Sequence, residues 1–177
     1  MPNLARLSLR DDDGALRAVV ETPALTSVKI TYVEDQEIFV YGRPLALGLV
    51  YPHDWGFFPS TLAADGDPLD VLIRHDGKTF PGVVISCRPL GVVRITEKAD
   101  EGKGRQRNDR IIAVPVKDER LSDTHELSQR ERGEIEQFFL SAVLFEKKDV
   151  RIEGWSGAKE AEKLIAAAHK AFEAKHR

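Results

Sequence analysis

Short apolar or β-branched segments, separated by Gly and Pro, fill the first two thirds of this 177-residue chain. Segments of this length and composition are typical of strands, and the Gly and Pro residues between them mark turns. The predicted strands cover residues 7–9, 16–22, 28–33, 37–41, 69–74, 83–87, 91–96 and 110–116.

The last third of the chain predicts two helices joined by a short strand over residues 150–153. The first helix opens at Ser128-Gln-Arg-Glu131, which has the pattern of a capping box. The second follows Ser156, which we expect to be its N-cap. Many short strands followed by helices favour an α+β, mainly β fold, in which helices pack outside a small closed barrel. We expect one domain over residues 1–177.

Composition excludes several classes of protein. The net charge of −3 argues against a nucleic-acid binder, which usually carries a basic excess. No apolar run approaches the length of a transmembrane helix, and residues 1–6 lack the apolar core of a signal peptide. The only cysteine, Cys87, lies in an apolar run and is expected to be a buried hydrophobe. We therefore expect a cytoplasmic protein with neither nucleic acid nor membrane as a partner.

The most informative local feature is Asp65-Gly-Asp67-Pro-Leu-Asp70, which places three carboxylates just before an apolar strand. Hard cations such as Mg²⁺ prefer oxygen ligands, and a cation would relieve the repulsion among close carboxylates. A solvated acidic turn is the alternative, because Asp-Gly and Asp-Pro are common in turns. Lys29 and Arg43, on earlier strands, supply the positive charge that binding of phosphate requires.

The Asp65–Asp70 segment resembles the signature of the family I soluble inorganic pyrophosphatases, Asp-[Ser/Gly/Asn]-Asp-Pro-[hydrophobic]-Asp. Companion motifs of that family occur in the same order, namely Cys87-Arg-Pro-Leu-Gly, Ala113-Val-Pro115 and Val150-Arg-Ile-Glu-Gly-Trp155. The resemblance implies a five-stranded OB-like barrel and several Mg²⁺ ions, with Mn²⁺ as a possible substitute. It also implies a homo-oligomer, usually a hexamer in bacteria.

The resemblance also implies roles for individual residues. Glu21, Asp65 and Asp70 match metal ligands. Asp67 matches the carboxylate that helps activate the attacking water. Lys29 and Arg43 match residues that bind phosphate.

Several positions depart from the family pattern. Trp55 stands where the family often has tyrosine, and its indole donates but cannot accept a hydrogen bond. Glu97 and Asn108 replace two metal-site aspartates, and Arg110 replaces a lysine that binds substrate. Because residues two apart share a face of a strand, we expect Asn108 and Arg110 to face the site while Asp109 points away.

The largest departure follows the paired aromatics Phe138-Phe139, where Ala142-Val143 replaces a Tyr-Lys pair that reaches phosphate in the family. Three basic residues of the charged segment 98–108, which is predicted to be a mobile loop, are candidates to replace the missing cation. They are Lys103, Arg105 and Arg107. A solvated loop explains the same charges equally well.

Three functions remain open on these residues. The first is Mg²⁺-dependent hydrolysis of pyrophosphate to two phosphates by a metal-activated water. We favour it because the three aspartates, Glu21, Lys29 and Arg43 are all present. The second is hydrolysis of an organic diphosphate or another phosphoanhydride, favoured by the more open and apolar subsite at Ala142-Val143. The third is a weakly active or non-catalytic homologue that binds metal and phosphate, favoured by the ligand charge that Asn108 removes.

Overall fold

The structure is a computed structural model that describes residues 3–99 and 104–176. In chain order the strands are β1 Leu16–Thr22, β2 Val28–Val33, β3 Ile38–Pro44, β4 Asp54–Phe57, β5 Asp70–Ile73, β6 Val84–Lys98, β7 Arg105–Arg107, β8 Arg110–Pro115 and β9 Arg151–Gly157. The helices are α1 Gln129–Ala142, between β8 and β9, and α2 Ala158–Lys175, after β9.

Five strands close into a ring. The order is β1-β4-β5-β8-β6, and β1 also pairs with β6, so that the last strand meets the first. Only the β5–β8 pairing within the ring is parallel. The short strands β7 and β9 add to β6, and β2 pairs with β3 in a separate hairpin. The predicted mainly β fold with a five-stranded OB-like ring and two helices is confirmed.

Both faces of the central strands are buried, which is why their sequences are continuously apolar rather than alternating. In β5, Val71 and Ile73 join the hydrophobic cluster that includes Ile165 of α2. Leu72, between them, points the other way into the cluster that includes Ile135 and Phe138 of α1. Each helix therefore covers one hydrophobic cluster of the ring.

Strand β6 is one long strand where the sequence predicted two, over 83–87 and 91–96. The pairing with β8 shifts register between Pro89 and Gly91, so the chain bends there without leaving the sheet. Glycine is needed at this bend, because a Cβ on Gly91 would lie 2.2 Å from the backbone oxygen of Ser156. The Pro-Gly pair therefore marks a β-bulge, which the sequence alone does not distinguish from a turn.

Other strands also differ from the sequence prediction. Strand β9 continues to Gly157, four residues beyond its predicted end. The predicted strand 7–9 is absent, and a 3₁₀ helix at Leu4–Arg6 precedes that position instead. Strand β4 was missed because its four residues include a glycine. Residues 105–107, predicted to be loop, pair with β6 as β7. Strand β3 continues to Pro44, three residues beyond the predicted end.

The helix starts give one confirmation and one correction. Ser128 and Glu131 form the predicted capping box at the start of α1. Helix α2 starts after Gly157 rather than Ser156, and no side chain at the N-cap position bonds to it. Instead, the distant Asp123 accepts a hydrogen bond from the Ala158 N–H at 2.8 Å. No helix among the described residues is long and apolar enough to cross a membrane.

Candidate active site

A cavity of about 320 Å³ opens between the ring and the β2–β3 hairpin. Its charged lining contains five carboxylates and three cations. The carboxylates belong to Glu21, Glu34, Asp65, Asp67 and Asp70, and the cations to Lys29, Arg110 and Lys148. The cavity therefore combines groups that attract metal ions with groups that attract phosphate.

The acidic wall of the cavity is the turn that leads into β5, together with Glu21 at the end of β1. Asp65 Oδ1 accepts a hydrogen bond from the Asp67 N–H at 3.2 Å, and Gly66 between them has a positive φ of 93°. The turn leaves Asp65 and Asp67 exposed. Although Asp67 is exposed at the mouth of the cavity, partial desolvation by the surrounding protein and the charge of Asp65 raise its pKa above the usual value. These carboxylates are therefore poised to bind a cation or to accept a proton.

Glu21 is the most deeply buried acid of this wall, with 8% of its surface exposed. Its Oε1 accepts a hydrogen bond from the Tyr32 N–H at 2.7 Å. Burial raises the pKa of Glu21 to about 7, and the charges of Asp70 and Asp67 add to the rise. A bound cation would offset this burial and repulsion, because it favours the ionised carboxylate.

Arg110, at the start of β8, lies beside Asp70 at the start of the neighbouring parallel strand β5. Its Nη1 donates to the carboxylate of Asp70 and to Oδ1 of Asn108. The guanidinium carbon also lies 5.2 Å from the ring centroid of Trp55. The Trp55 indole thus packs against Arg110, which stands in place of the family lysine, in an arrangement that favours cation–π attraction.

Glu97 lies at the end of β6 and is almost fully buried, with 3% of its surface exposed. Three donors reach its Oε1: Asn108 Nδ2 at 3.0 Å, Gln106 Nε2 at 3.3 Å and Lys148 Nζ at 3.3 Å. Burial raises the pKa of Glu97, but these donors outweigh it and hold the pKa below its usual value. Glu97 is therefore an ionised carboxylate that already has protein partners.

The structure brings Asn108 and Arg110 to the cavity together, as the strand geometry predicts. Asp109, between them, faces away. Its Oδ1 accepts from the Ile95 N–H at 3.0 Å, and its other oxygen pairs with Arg107. Asp109 is therefore a structural residue, not a substitute for the missing acid.

Lys148 is a functional candidate that the sequence analysis missed. Its backbone oxygen accepts a hydrogen bond from the Lys98 N–H at 2.6 Å, which places the ammonium beside Glu97. The pairing of β9 with β6 aligns Arg151 with Thr96 and so brings the preceding residues to the end of β6. No local motif signals this, because the contact depends on long-range strand register.

Arg43 lies on the β2–β3 hairpin, which is separate from the ring. Its Nη2 donates to the Ala142 backbone oxygen at 2.7 Å, and its Nε pairs with the carboxylate of Glu146. Lys29 is its neighbour across the hairpin. The hairpin is thus attached to the end of α1 by the same arginine that was predicted to bind phosphate.

A smaller cavity, of about 80 Å³, adjoins the first one and shares Lys29, Trp55 and Arg110 with it. Ala142 and Val143 line it, at the position of the Tyr-Lys pair in the family pattern. The remaining lining is formed by Arg43, Tyr51, Ile95, Glu97, Phe138, Phe139 and Val150. The lost phenol and cation therefore leave a small recess beside the charged cavity, with aromatic and aliphatic side chains among its charged residues.

The basic residues predicted to compensate for that loss do not line either cavity within the described part of the chain. Arg105 donates to Thr96 and to Asp149, and Arg107 pairs with Asp109. Lys103 lies outside the described residues. Lys148, which lies outside this segment, lines the charged cavity together with Lys29 and Arg110.

The oxygen-rich acidic wall suits Mg²⁺, which prefers carboxylates and keeps several waters. Even so, no three Asp, Glu, His or Cys side chains in ranges 3–99 and 104–176 converge closely enough to enclose an ion. Two of the predicted ligands, Asp70 and Glu97, are engaged by Arg110 and Lys148. The fit is therefore better at Asp65, Asp67 and Glu21 than at Glu97 and Asn108.

A closed β-ring that presents carboxylates opposite lysine and arginine in one cleft has the arrangement of a metal-dependent enzyme acting on phosphate groups. The family model for inorganic pyrophosphatase matches residues 18–173. The chain belongs to this family, as its motifs predicted, and family I pyrophosphatases are metal-dependent enzymes.

Named relatives agree over nearly the whole chain. An inorganic pyrophosphatase of Leifsonia xyli is 39% identical and covers 90% of this chain and 97% of its own length. One of Nostoc is 34% identical, with coverage of 96% and 99%. The crystal structure of inorganic pyrophosphatase from Thermus thermophilus superposes with a TM-score of 0.88 at 29% identity, covering 97% of this chain and 99% of the other. The family fold is thus retained almost end to end.

Proposed function

We propose that this chain hydrolyses inorganic pyrophosphate to two phosphates and requires Mg²⁺ to do so, with Mn²⁺ as a substitute. The observation that carries the proposal is the charged cavity, in which the acidic turn of Asp65, Asp67 and Asp70 faces Lys29 and Arg110. Family membership supports the same reaction. The carboxylates suit a hard divalent cation, and the two cations suit the phosphoryl oxygens of the substrate.

Each wall of the cavity has its own task in the proposed reaction. Asp65 and Glu21 would hold the metal, which when bound polarises phosphoryl oxygens and lowers the pKa of water. Asp70 would join them by giving up its ion pair with Arg110. Asp67 accepts the proton of the attacking water, a role that suits a carboxylate whose pKa is raised. Lys29 and Arg110 bind the phosphates and stabilise the charge that develops on the leaving group.

A second candidate is hydrolysis of a small organic diphosphate, and the recess at Ala142 and Val143 favours it. Its volume of about 80 Å³ suits a short alkyl group better than a nucleoside. Pyrophosphate remains the first candidate because the larger cavity has eight charged residues in its lining, whereas the recess is a small addition to it.

We further propose that the chain is one domain, works in the cytoplasm and assembles as a homo-oligomer, with a hexamer implied by its likeness to bacterial family members. Exposed apolar side chains on the described surface support assembly, including Leu25, Tyr41 and Leu47. Light scattering on the purified protein tests the subunit number.

Phosphate release from pyrophosphate, measured over a Mg²⁺ titration, tests the proposed reaction. We expect release that depends on Mg²⁺, and a large loss in Asp67→Asn. The same assay with methyl diphosphate tests the second candidate. A folded protein that releases no phosphate from pyrophosphate at any Mg²⁺ or Mn²⁺ concentration would instead be a non-catalytic homologue.

A further inference from the structure

The wall opposite the acidic turn contains a built-in positive charge at the position where the family resemblance implies a metal ion. Glu97 and Asn108 occupy the positions of two metal-site aspartates, and Lys148 Nζ lies 3.3 Å from Glu97 Oε1. The ammonium carries one of the charges that a divalent ion would otherwise bring to this carboxylate.

Both polar atoms of the Asn108 side chain are already used. Its Nδ2 donates to Glu97 Oε1 at 3.0 Å, and its Oδ1 accepts from Arg110. The opposite amide orientation would direct NH₂ at a guanidinium and oxygen at a carboxylate, so these partners fix the orientation. The amide therefore offers no free oxygen to a metal ion, and the guanidinium beside it repels cations.

Lys148 is held in place by its backbone as well as by its charge. Its backbone oxygen accepts from the Lys98 N–H, and the following residue, Asp149, has a positive φ of 43°. Arg105 fixes that turn by donating to Asp149 Oδ2 at 2.6 Å and to the Asp149 backbone oxygen at 2.7 Å. Arg105, one of the basic residues of segment 98–108, thus positions Lys148 through Asp149.

We propose that the Lys148 ammonium permanently replaces one metal ion between Glu97 and Asn108, so that this chain binds one divalent ion fewer than it would with an acid at 108 and no cation at 148. Divalent ions then bind at the acidic wall alone. The proposal rests on the proposed function only in taking Glu97 and Asn108 as ion-facing positions, and counting bound ions tests it without any turnover.

The test is the number of Mn²⁺ ions bound per chain without substrate, measured from the free Mn²⁺ signal in electron paramagnetic resonance. We expect the double variant Lys148→Met/Asn108→Asp to bind one more ion than the natural chain. The matched control is Lys147→Met/Asn108→Asp, which makes the same charge change at an exposed neighbouring lysine and should gain none. Equal counts in the natural chain and the Lys148 double variant, or an equal gain in both double variants, would overturn the proposal.

If the double variant does not fold, the natural chain itself provides the answer. Nitrogen NMR of isotope-labelled lysine reports whether Mg²⁺ displaces the Lys148 ammonium from Glu97. We expect its resonance to stay in place as Mg²⁺ is added. Movement to the position of an exposed lysine at saturating Mg²⁺ would show that an ion enters between Glu97 and Asn108, against the proposal. Phosphate release measured in parallel separates this outcome from loss of the proposed activity.

Discussion

The two walls of the charged cavity differ in how they balance their carboxylates. On the acidic wall, Asp65 and Asp67 are exposed, and the pKa of Asp67 is raised by partial desolvation and by the charge of Asp65. The opposite wall is lined by Asn108 and Lys148, and Glu97 lies buried behind it. The pKa of Glu97 is lowered by Asn108, Lys148 and Gln106 despite that burial. One wall is poised to take up a cation, and the other is already neutralised by the protein.

This difference shows how a site can change while the fold stays the same. The acidic turn precedes β5, whose neighbours on both sides belong to the closed ring. The opposite wall ends in segments that lie outside the ring, at β7, at β9 and at the end of α1. Substitutions there alter charge with little effect on the ring. We expect mutations on the acidic wall to lower turnover, and mutations on the opposite wall to change stability and metal binding.

The largest expected effect is that of Asp67→Asn on the acidic wall. Removing a general base lowers turnover by about 10²–10⁴-fold. The rate of phosphate release under saturating Mg²⁺ measures it, with Asp12→Asn at an exposed acid as the control. Turnover close to that of the natural chain in a folded Asp67→Asn protein would remove Asp67 from the mechanism.

Lys29→Met should have the next largest effect, because Lys29 lines both cavities and therefore can reach both phosphates. A charge-assisted hydrogen bond contributes about 1.5–3 kcal/mol, which corresponds to about 10–100-fold in turnover. The exposed Lys78→Met is the control. If Arg43→Met lowers turnover more than Lys29→Met, the contacts of Arg43 with α1 do not keep it from the substrate.

Asn108→Asp should destabilise the metal-free protein by about 1.5 kcal/mol, because a donor 3.0 Å from Glu97 becomes a second anion. While the Lys148 ammonium stays beside Glu97, Mg²⁺ should restore little of that loss. Thermal melting with chelator and with Mg²⁺ measures both. Gln106→Glu, at the longer 3.3 Å contact, should show a smaller loss. Identical melting of Asn108→Asp and the natural chain would mean that residue 108 does not face Glu97.

The smallest effect is expected at Glu131, which belongs to the capping box at the start of α1. Its carboxylate accepts from the Ser128 N–H and from Arg74, and these contacts lower its pKa from 4.5 to about 2. The stability it contributes is present above pH 4.5 and is lost as the pH falls through about 2. Glu131→Gln should therefore cost about 0.5–1 kcal/mol at pH 7, only a small part of that near pH 2, and nothing below it.

Denaturant unfolding at the two pH values measures the effect, with Glu134→Gln, three residues further along α1, as the control. A loss in Glu131→Gln that is the same at both pH values would show that the ion pair with Arg74 and the charged cap contribute nothing.

The sequence predicted an element well where a local pattern, such as apolar spacing or a capping residue, determines its ends. The bounds of β1 and β2 were predicted to the residue, and so was the capping box of α1, because apolar pattern and cap chemistry act locally. The predicted break between two strands at Pro89–Gly91 was wrong, because proline and glycine are common both in turns and in β-bulges. The N-cap of α2 failed because its acceptor, Asp123, is distant in sequence.

In the candidate site, too, features formed by neighbouring residues could be predicted, and features formed by residues distant in sequence could not. The acidic turn could be predicted because its carboxylates lie within six residues, and the strand period correctly separated Asn108 from Asp109. Lys148 could not, because its approach to Glu97 follows from the register of β9 on β6. The contacts of Arg43 with Ala142 and Glu146 likewise join segments about a hundred residues apart.

The most direct test of the difference between the walls is the anomalous scattering of Mn²⁺ in a crystal of the natural protein. We predict Mn²⁺ peaks beside Asp65 and Glu21 on the acidic wall, with Lys148 Nζ still within hydrogen-bonding distance of Glu97. A Mn²⁺ peak bridging Glu97 and Asn108, with the Lys148 ammonium displaced, would contradict the account.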